Sequence, residues 1–364
     1  MTTTEAPPTP STEELVGRIF ESGVGALDVF SVYLGEQLGY YRALREGGPA
    51  TSVELAHRTD TVERYTREWL EQQATTGFLA VAEPSAAPTD RLYSLPAGYE
   101  DVLVNPESEM FVAPLGRMLA AAFSQSRRLL DVYRNGGGIS WAEFGDDART
   151  AQADFNRPFY QHSLVPGYVS QIPGLDEALK KPGARVTEIG SGGGWAAIAM
   201  ARAYPDAIVE GYDIDGPSAE LARTNAADAG LTGRATFHHR DAADAGMNGQ
   251  SDLVCAFECV HDMPDPVSVL RTMGRLVKPG GVVLVMDEKV GESFGNIGDL
   301  VERLMYGASL CICLPDGMSH QPSVGTGTVM RPDTFRKYAT AAGFSSVEIL
   351  PLEHDMFRFY RLIP

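Results

Sequence analysis

Basic residues are scarce in this chain of 364 residues. Lysine and arginine number 30 against 48 aspartates and glutamates, a formal net charge of −18. That balance argues against a nucleic-acid backbone or an anionic membrane as partner, because both are polyanions. Long apolar runs are missing too. No stretch of 18 apolar residues occurs, so no transmembrane helix is expected. The opening residues 1–10 lack the basic and apolar parts of a signal sequence, and their Thr/Pro content points to a disordered tail. Cysteines number only 4, without a secretory framework, which fits a reducing cytoplasm. No internal repeat is visible. What the chain does have is apolar material for a full core, 44% of its residues, and length enough for two domains.

The most informative stretch is Val186-Thr-Glu188-Ile-Gly190-Ser-Gly192-Gly193-Gly194-Trp195, followed by an alanine-rich run to Ala201. An apolar run breaks into glycines and resumes with helical character. That is strand, tight turn and helix, the first βα unit of a doubly wound α/β domain. Glycines permit positive φ and let a ligand approach bare backbone, and the new helix offers free N–H groups. A dinucleotide fingerprint G-x-G-x-x-G would need glycine where Trp195 stands, which disfavours a nicotinamide or flavin cofactor.

Downstream, residues 207–215 read as a second strand ending in Asp213 and Asp215, and residues 235–242 as a third ending in Asp241 and Ala242. An acid at the second strand end suits ribose hydroxyls, and an acid with a backbone N–H at the third suits an adenine edge. Further strands are expected near 252–257, 281–287, 346–350 and 356–361. The last pair has no helix between its members, which predicts an antiparallel end strand.

This constellation resembles the class I S-adenosylmethionine-dependent methyltransferases over roughly residues 186–364. The resemblance implies that Glu188, Gly190, Gly192, Gly194 and Trp195 meet the methionine part of S-adenosyl-L-methionine. Asp213 would then hold the ribose, Asp241 and Ala242 the adenine, and Glu258, at the end of the fourth strand, would be a further cofactor-binding residue. The product would be S-adenosyl-L-homocysteine.

The fourth strand runs into Glu258-Cys-Val-His261-Asp262-Met263-Pro-Asp265, which resembles the His-Asp-Trp-Ser-Asp stretch of plant-type small-molecule O-methyltransferases. Met263 stands where those enzymes have tryptophan. There the histidine is the general base, so the resemblance assigns His261 that role. A neutral imidazole can take the proton of a hydroxyl acceptor, and a carboxylate behind it fixes its tautomer. Asp287 or Glu288 would be that acid. Asp287 fits better, six residues after Gly281. Two other readings stay open. His261, Asp262 and His320 could form a metal triad, as in the resembling keto-acid C-methyltransferases. The protein could also be a non-catalytic S-adenosylmethionine-binding regulator. The cysteine pairs Cys255/Cys259 and Cys311/Cys313 read better as buried apolar residues and acceptor-pocket positions than as a zinc site.

Ahead of this domain, apolar residues at helical spacing over residues 11–45 predict two helices with a break near Gly23–Gly25. Thr51 or Ser52 with Glu54 marks a capped helix, and residues 62–76, ended by Gly77, mark the next. Residues 78–82 and 92–95 would make a wing. The whole reads as a winged helix over residues 11–105. Its would-be recognition helix sets Glu63, Glu68 and Glu71 against Arg64 and Arg67, too acidic a face for DNA. The resemblance instead implies a homodimer made through these amino-terminal helices. Residues 106–180 read as a helical linker over the active site, with one long helix from Met110 to Tyr133. Trp141, Phe144, Phe155, Tyr160 and His162 are candidates to line the pocket. Residues 181–364 complete the expected architecture, a seven-stranded Rossmann-like α/β methyltransferase domain.

Overall fold

The computed structural model describes residues 9–244 and 248–364. The chain divides into two compact units, with the division between Ala121 and Ala122.

The first unit opens with α1 (Thr12–Gln37), capped reciprocally by Ser11 and Glu14. The expected break near Gly23–Gly25 does not occur. An interior glycine costs a helix only about 1 kcal/mol relative to alanine, less than an interrupted hydrogen-bond ladder. The chain turns instead at Gly39, whose φ is 72°. Then follow α2 (Tyr40–Gly47), α3 (Ser52–Thr59) and α4 (Glu63–Thr76). Thr51 and Glu54 form the capping box of α3. The strands β1 (Ala80–Ala82) and β2 (Leu92–Ser94) pair antiparallel as the wing. Tyr40, Tyr41, Leu55, Trp69, Leu70 and Tyr93 build this unit's core. Trp69 Nε1 donates to the Ser31 carbonyl at 2.9 Å, tying α4 to α1.

The expected helix from Met110 to Tyr133 is two helices, Pro114–Ser124, which spans the division, and Ser126–Asn135. Gln125, at φ −87° and ψ 7°, leaves helical geometry between them. A further helix, Trp141–Phe159, is interrupted at Gly145 and passes into wider π-helical turns over Tyr160–Tyr168. Pro158 and Pro166 lack backbone donors, so the ordinary ladder cannot run through this segment unbroken.

The sheet comprises β3 (Arg185–Ile189), β4 (Ile208–Asp213), β5 (Ala235–His239), β6 (Ser251–Phe257), β7 (Val277–Glu288), β8 (Ser346–Ile349) and β9 (Phe357–Ile363). The strand order is β5-β4-β3-β6-β7-β9-β8. The first five strands are parallel, and β9 runs antiparallel to both of its neighbours. β6 is buried along its whole length, as a central parallel strand covered on both faces requires. Leu253 and Cys255 enter one core cluster, Val254 and Ala256 the other, following the alternation of a strand. Among the described residues no helix is long and apolar enough to cross a membrane.

Candidate active site

β3, β4 and β6 all end at one edge of the sheet, beside the glycine turn. Gly190, Gly192 and Gly194 have φ of 68°, 50° and 80°, values that disfavour any side chain. They differ in surroundings. A Cβ on Gly190 would lie 2.5 Å from Cys259 Sγ, and one on Gly194 would meet Phe237 at 2.7 Å. A Cβ on Gly192 would meet nothing within 4 Å. Gly190 and Gly194 are glycine for packing, while Gly192 fronts open space that a ligand can enter.

Glu188 is only 2% exposed, and its Oε2 accepts from Ala197 N at 3.0 Å. It therefore caps the helix Trp195–Ala203 from below, and burial raises its carboxyl to about 8. One of the N–H groups expected to face a ligand is taken by the protein itself. Asp213 accepts from Gly192 N at 2.7 Å and from Asp215 N at 2.8 Å. Burial lifts its carboxyl to about 6, against the pull of those two bonds. Asp241 is exposed and accepts from Ala243 N at 2.8 Å, while Ala242 is buried. Trp195 is buried beneath Arg157, whose guanidinium lies 4.4 Å from the ring centre.

Beyond β6 the chain makes a single turn, Val260–Asp262, that carries His261 into the interior at 2% exposure. Its Nδ1 lies 2.8 Å from Asp287 Oδ1 and 2.9 Å from Glu288 Oε2, both at the end of β7. Its Nε2 lies 3.1 Å from Asp262 Oδ1. Burial alone would lower the imidazole pKa, but Asp262, Glu288 and Asp287 together push it well above the ordinary value. Burial also raises Glu288 well above the carboxylate range, whereas the imidazolium keeps Asp287 low. The insertion after β7 closes over this turn. Gly327 N donates to the His261 carbonyl at 3.1 Å, and a Cβ on Gly317 would touch the Asp262 carbonyl oxygen at 3.0 Å.

Among the described residues two groups of side chains converge closely enough to hold a cation, His261 with Asp262 and Cys313, and His261 with Asp287 and Glu288. His320 is in neither. It is exposed, its Nδ1 2.8 Å from Ser319 Oγ, so the expected His-Asp-His triad is not assembled. The half-buried Cys313 thiol, pushed up to about 12 by desolvation, stays neutral beside His261.

Of the aromatic candidates, Tyr160 reaches the site, its hydroxyl donating to Glu258 Oε1 at 2.8 Å. Phe144 is buried, while Phe155 and His162 are exposed. Trp141 N donates to Asp316 Oδ1 at 2.7 Å, and burial with the nearby Asp262 raises Asp316 to about 8. Sequence reasoning missed Arg149, which is 6% exposed and donates through Nε to Asp215 Oδ2 at 2.9 Å. No local signal in the sequence marks it.

A family profile described as a methyltransferase domain matches residues 180–314, and an Rv2258c-like winged HTH domain matches residues 26–104. Ubiquinone biosynthesis O-methyltransferase of Bordetella avium is 34% identical over 122 residues, 34% of this chain and 49% of that enzyme. The same enzyme of Aromatoleum aromaticum is 28% identical over 187 residues, 50% of this chain and 72% of its own. The chain spans about half the length of most of the curated relatives it matches. Solved structures align along nearly the whole chain. A Nostoc punctiforme protein described as a putative O-methyltransferase has a TM-score of 0.70 at 18% identity, covering 98% of this chain and 100% of its own. Mitomycin 7-O-methyltransferase has 0.67 at 22%, covering 96% and 97%. Human N-acetylserotonin methyltransferase, solved with S-adenosylmethionine, has 0.69 at 19%, covering 98% and 99%. The chain therefore carries a methyltransferase domain over residues 180–314 behind a winged-helix domain over residues 26–104, in a fold shared with the solved methyltransferases.

Proposed function

We propose that this protein methylates a hydroxyl group of a small organic molecule, with S-adenosylmethionine as donor and His261 as general base. The observation that carries the reading is a buried imidazole, backed by Asp287 and Glu288, four residues beyond the end of the strand that borders the glycine turn. The open side of Gly192 and the carboxylates of Asp213 and Glu258 fit the cofactor. When bound, it supplies an electrophilic methyl group on a positively charged sulfur. The chain's own work is to position the acceptor and receive its proton.

Asp287 and Glu288 leave Nδ1 protonated, so Nε2 is the nitrogen that can accept. Asp262 faces it now, but Asp262 Oδ1 makes no well-aligned hydrogen bond. An acceptor hydroxyl entering from the insertion side would displace Asp262, give its proton to Nε2, and bond to the methyl carbon as the carbon–sulfur bond broke, its electron pair staying on a now neutral sulfur. Only the neutral ring can accept. The carboxylates hold the ring protonated to unusually high pH, so turnover should rise with pH beyond the ordinary imidazole range.

A second copy of the chain is the partner we propose for α1, where Ile19, Phe20 and Leu27 are 65%, 73% and 69% exposed. Apolar side chains at such exposure mark a surface made to be covered. The regulator reading finds no support in α4. Arg64 pairs with Glu68 and Arg67 with Glu63, leaving no basic face for DNA.

The test is a pair of variants and a chelator. His261→Ala should lower turnover by about 100-fold to 10,000-fold with cofactor affinity nearly intact. His261→Gln should be equally poor, and chelators should leave the wild type unchanged. Chelator-sensitive activity would replace the base with a metal, and near-wild-type turnover of both variants would remove His261 from the chemistry.

A further inference from the structure

Glu258 is the residue whose conformation the fold explains least. Among the described residues it is one of three non-glycine residues with positive φ, at 53°, and it immediately follows β6. That backbone region costs a side-chain-bearing residue about 1–2 kcal/mol, so something over-determines it. Its N–H donates to the Met286 carbonyl at 2.8 Å, pinning it to β7. Its carboxylate accepts from Tyr160 across 98 positions of sequence, and from Asn156 one turn earlier on the same helical segment. Tyr160 opens the π-helical turns, an irregularity that recurs at functional sites. The roof of the site is thus bent to hold one carboxylate.

Its place in the chain says what the carboxylate is for. The next residue, Cys259, is the side chain against which Gly190 packs, and His261 follows two positions later. Glu258 therefore stands between the glycine turn and the proposed base. A methyl group moving from cofactor to acceptor has to cross that gap. Other charged groups near it are His261 and Asp287, with Glu188 near its partner Tyr160. Among the described residues no lysine or arginine pairs with Glu258.

We infer that Glu258, held by Tyr160 and Asn156, is the counter-ion of the donor's sulfonium and makes the site prefer the charged methyl donor to its neutral, demethylated product. The inference rests on the cofactor reading above and deepens it. Losing the positive charge on transfer would leave Glu258 desolvated with no cation, which favours product release. With no cation present, burial raises the Glu258 carboxyl to about 7. A sulfonium beside it would draw off the proton, so donor affinity should depend on pH where product affinity does not.

Calorimetry of the full chain with S-adenosylmethionine and with S-adenosylhomocysteine tests this. Groups meeting the shared adenosine and amino-acid parts cancel in the ratio of the two affinities. For a carboxyl near 7, that ratio should rise about 10-fold in favour of the donor between about pH 6 and about pH 8. Glu258→Gln should flatten the pH dependence and lower donor affinity roughly 10-fold or more, with product affinity little changed. Tyr160→Phe removes a bond that holds the carboxyl down, so the ratio's midpoint should move to higher pH. A merely structural role would weaken both ligands together and leave the midpoint in place. A pH-independent ratio in the wild type, or equal loss of both ligands in Glu258→Gln, would overturn the inference. Wild-type protein that bound neither ligand would refute the cofactor reading itself.

Discussion

Replacing Asp287 with asparagine isolates the electrostatics on which the proposed mechanism depends. Asp287 is 1% exposed, and its Oδ1 faces His261 Nδ1 at 2.8 Å while accepting from Glu288 N at 3.0 Å. Asparagine keeps the shape and an oxygen for both contacts but removes the charge. Taking away one of three carboxylates around the ring should lower its pKa by about 1–3 units. The sign follows from the role. The base works when neutral, so the pH at which activity appears should move down by the same amount. The plateau should fall as well, because the imidazolium formed on proton transfer loses its counter-charge. Histidine-directed NMR titration reads the ring pKa without an acceptor, and initial rates against pH read the limb. Asp287 Oδ2 is buried without a hydrogen-bond partner, so the new amide NH2 there would be unsatisfied, at about 1–3 kcal/mol. Thermal unfolding separates that cost from the chemical effect. A ring pKa that did not move would refute the claim that Asp287 tunes His261.

Three further outcomes are expected. Asp213→Ala should weaken S-adenosylmethionine binding by about 5- to 150-fold, the equivalent of about 1–3 kcal/mol for the lost acceptor, as read by calorimetry. Gly192→Ala has room for its Cβ but an unfavourable φ of 50°, so it should cost about 1–2 kcal/mol in stability and lower cofactor affinity. Gly190→Ala, forced against Cys259, should lower the melting temperature further than Gly192→Ala does. The double variant Phe20→Glu, Leu27→Glu should stay helical by circular dichroism and run as a monomer in light scattering, and an unchanged mass would remove α1 from the interface.

The sheet was legible because each strand is short, apolar and punctuated, and its order follows from one glycine turn and an unbroken final pair. β6 illustrates this. Leu253 to Phe257 is uninterruptedly apolar, a pattern only a strand covered on both faces sustains. Helix ends were less legible. Gly23 and Gly25 look like breaks, but the helix runs through them, since ladder hydrogen bonds outweigh the small penalty of glycine. Gln125 carries no breaking signal, yet it divides the next helical stretch. In the site, residues recognised by motif were found where local sequence positions them, at strand ends. Tyr160 was a pocket candidate, but the partners that it, Asn156 and Arg149 would meet were not legible, because the course of their segment depends on packing. Nothing local in the sequence distinguishes Arg149, which meets Asp215 across 66 positions.

The carboxylates gathered at this edge also argue for a positively charged ligand. Each buried acid carries a desolvation cost that something has to offset. Glu188 meets a helix N-terminus at Ala197, Asp215 meets Arg149, and Asp287 meets His261. Asp213 and Glu258 differ. Among the described residues neither has a side-chain cation of its own, and burial raises both, to about 6 and about 7. They flank the open face of Gly192 from β4 and β6, the two strands on either side of β3. Two acids without a side-chain cation beside a glycine turn fit the ligand we propose, which bears both hydroxyls and a positive charge. Asp213 is suited to the hydroxyls and Glu258 to the charge. Restoring neutrality should therefore stabilise the fold even without turnover. Adding S-adenosylmethionine should raise the melting temperature more than an equal excess of S-adenosylhomocysteine at about pH 8, and the two shifts should converge as pH falls below 6, where Glu258 is already protonated.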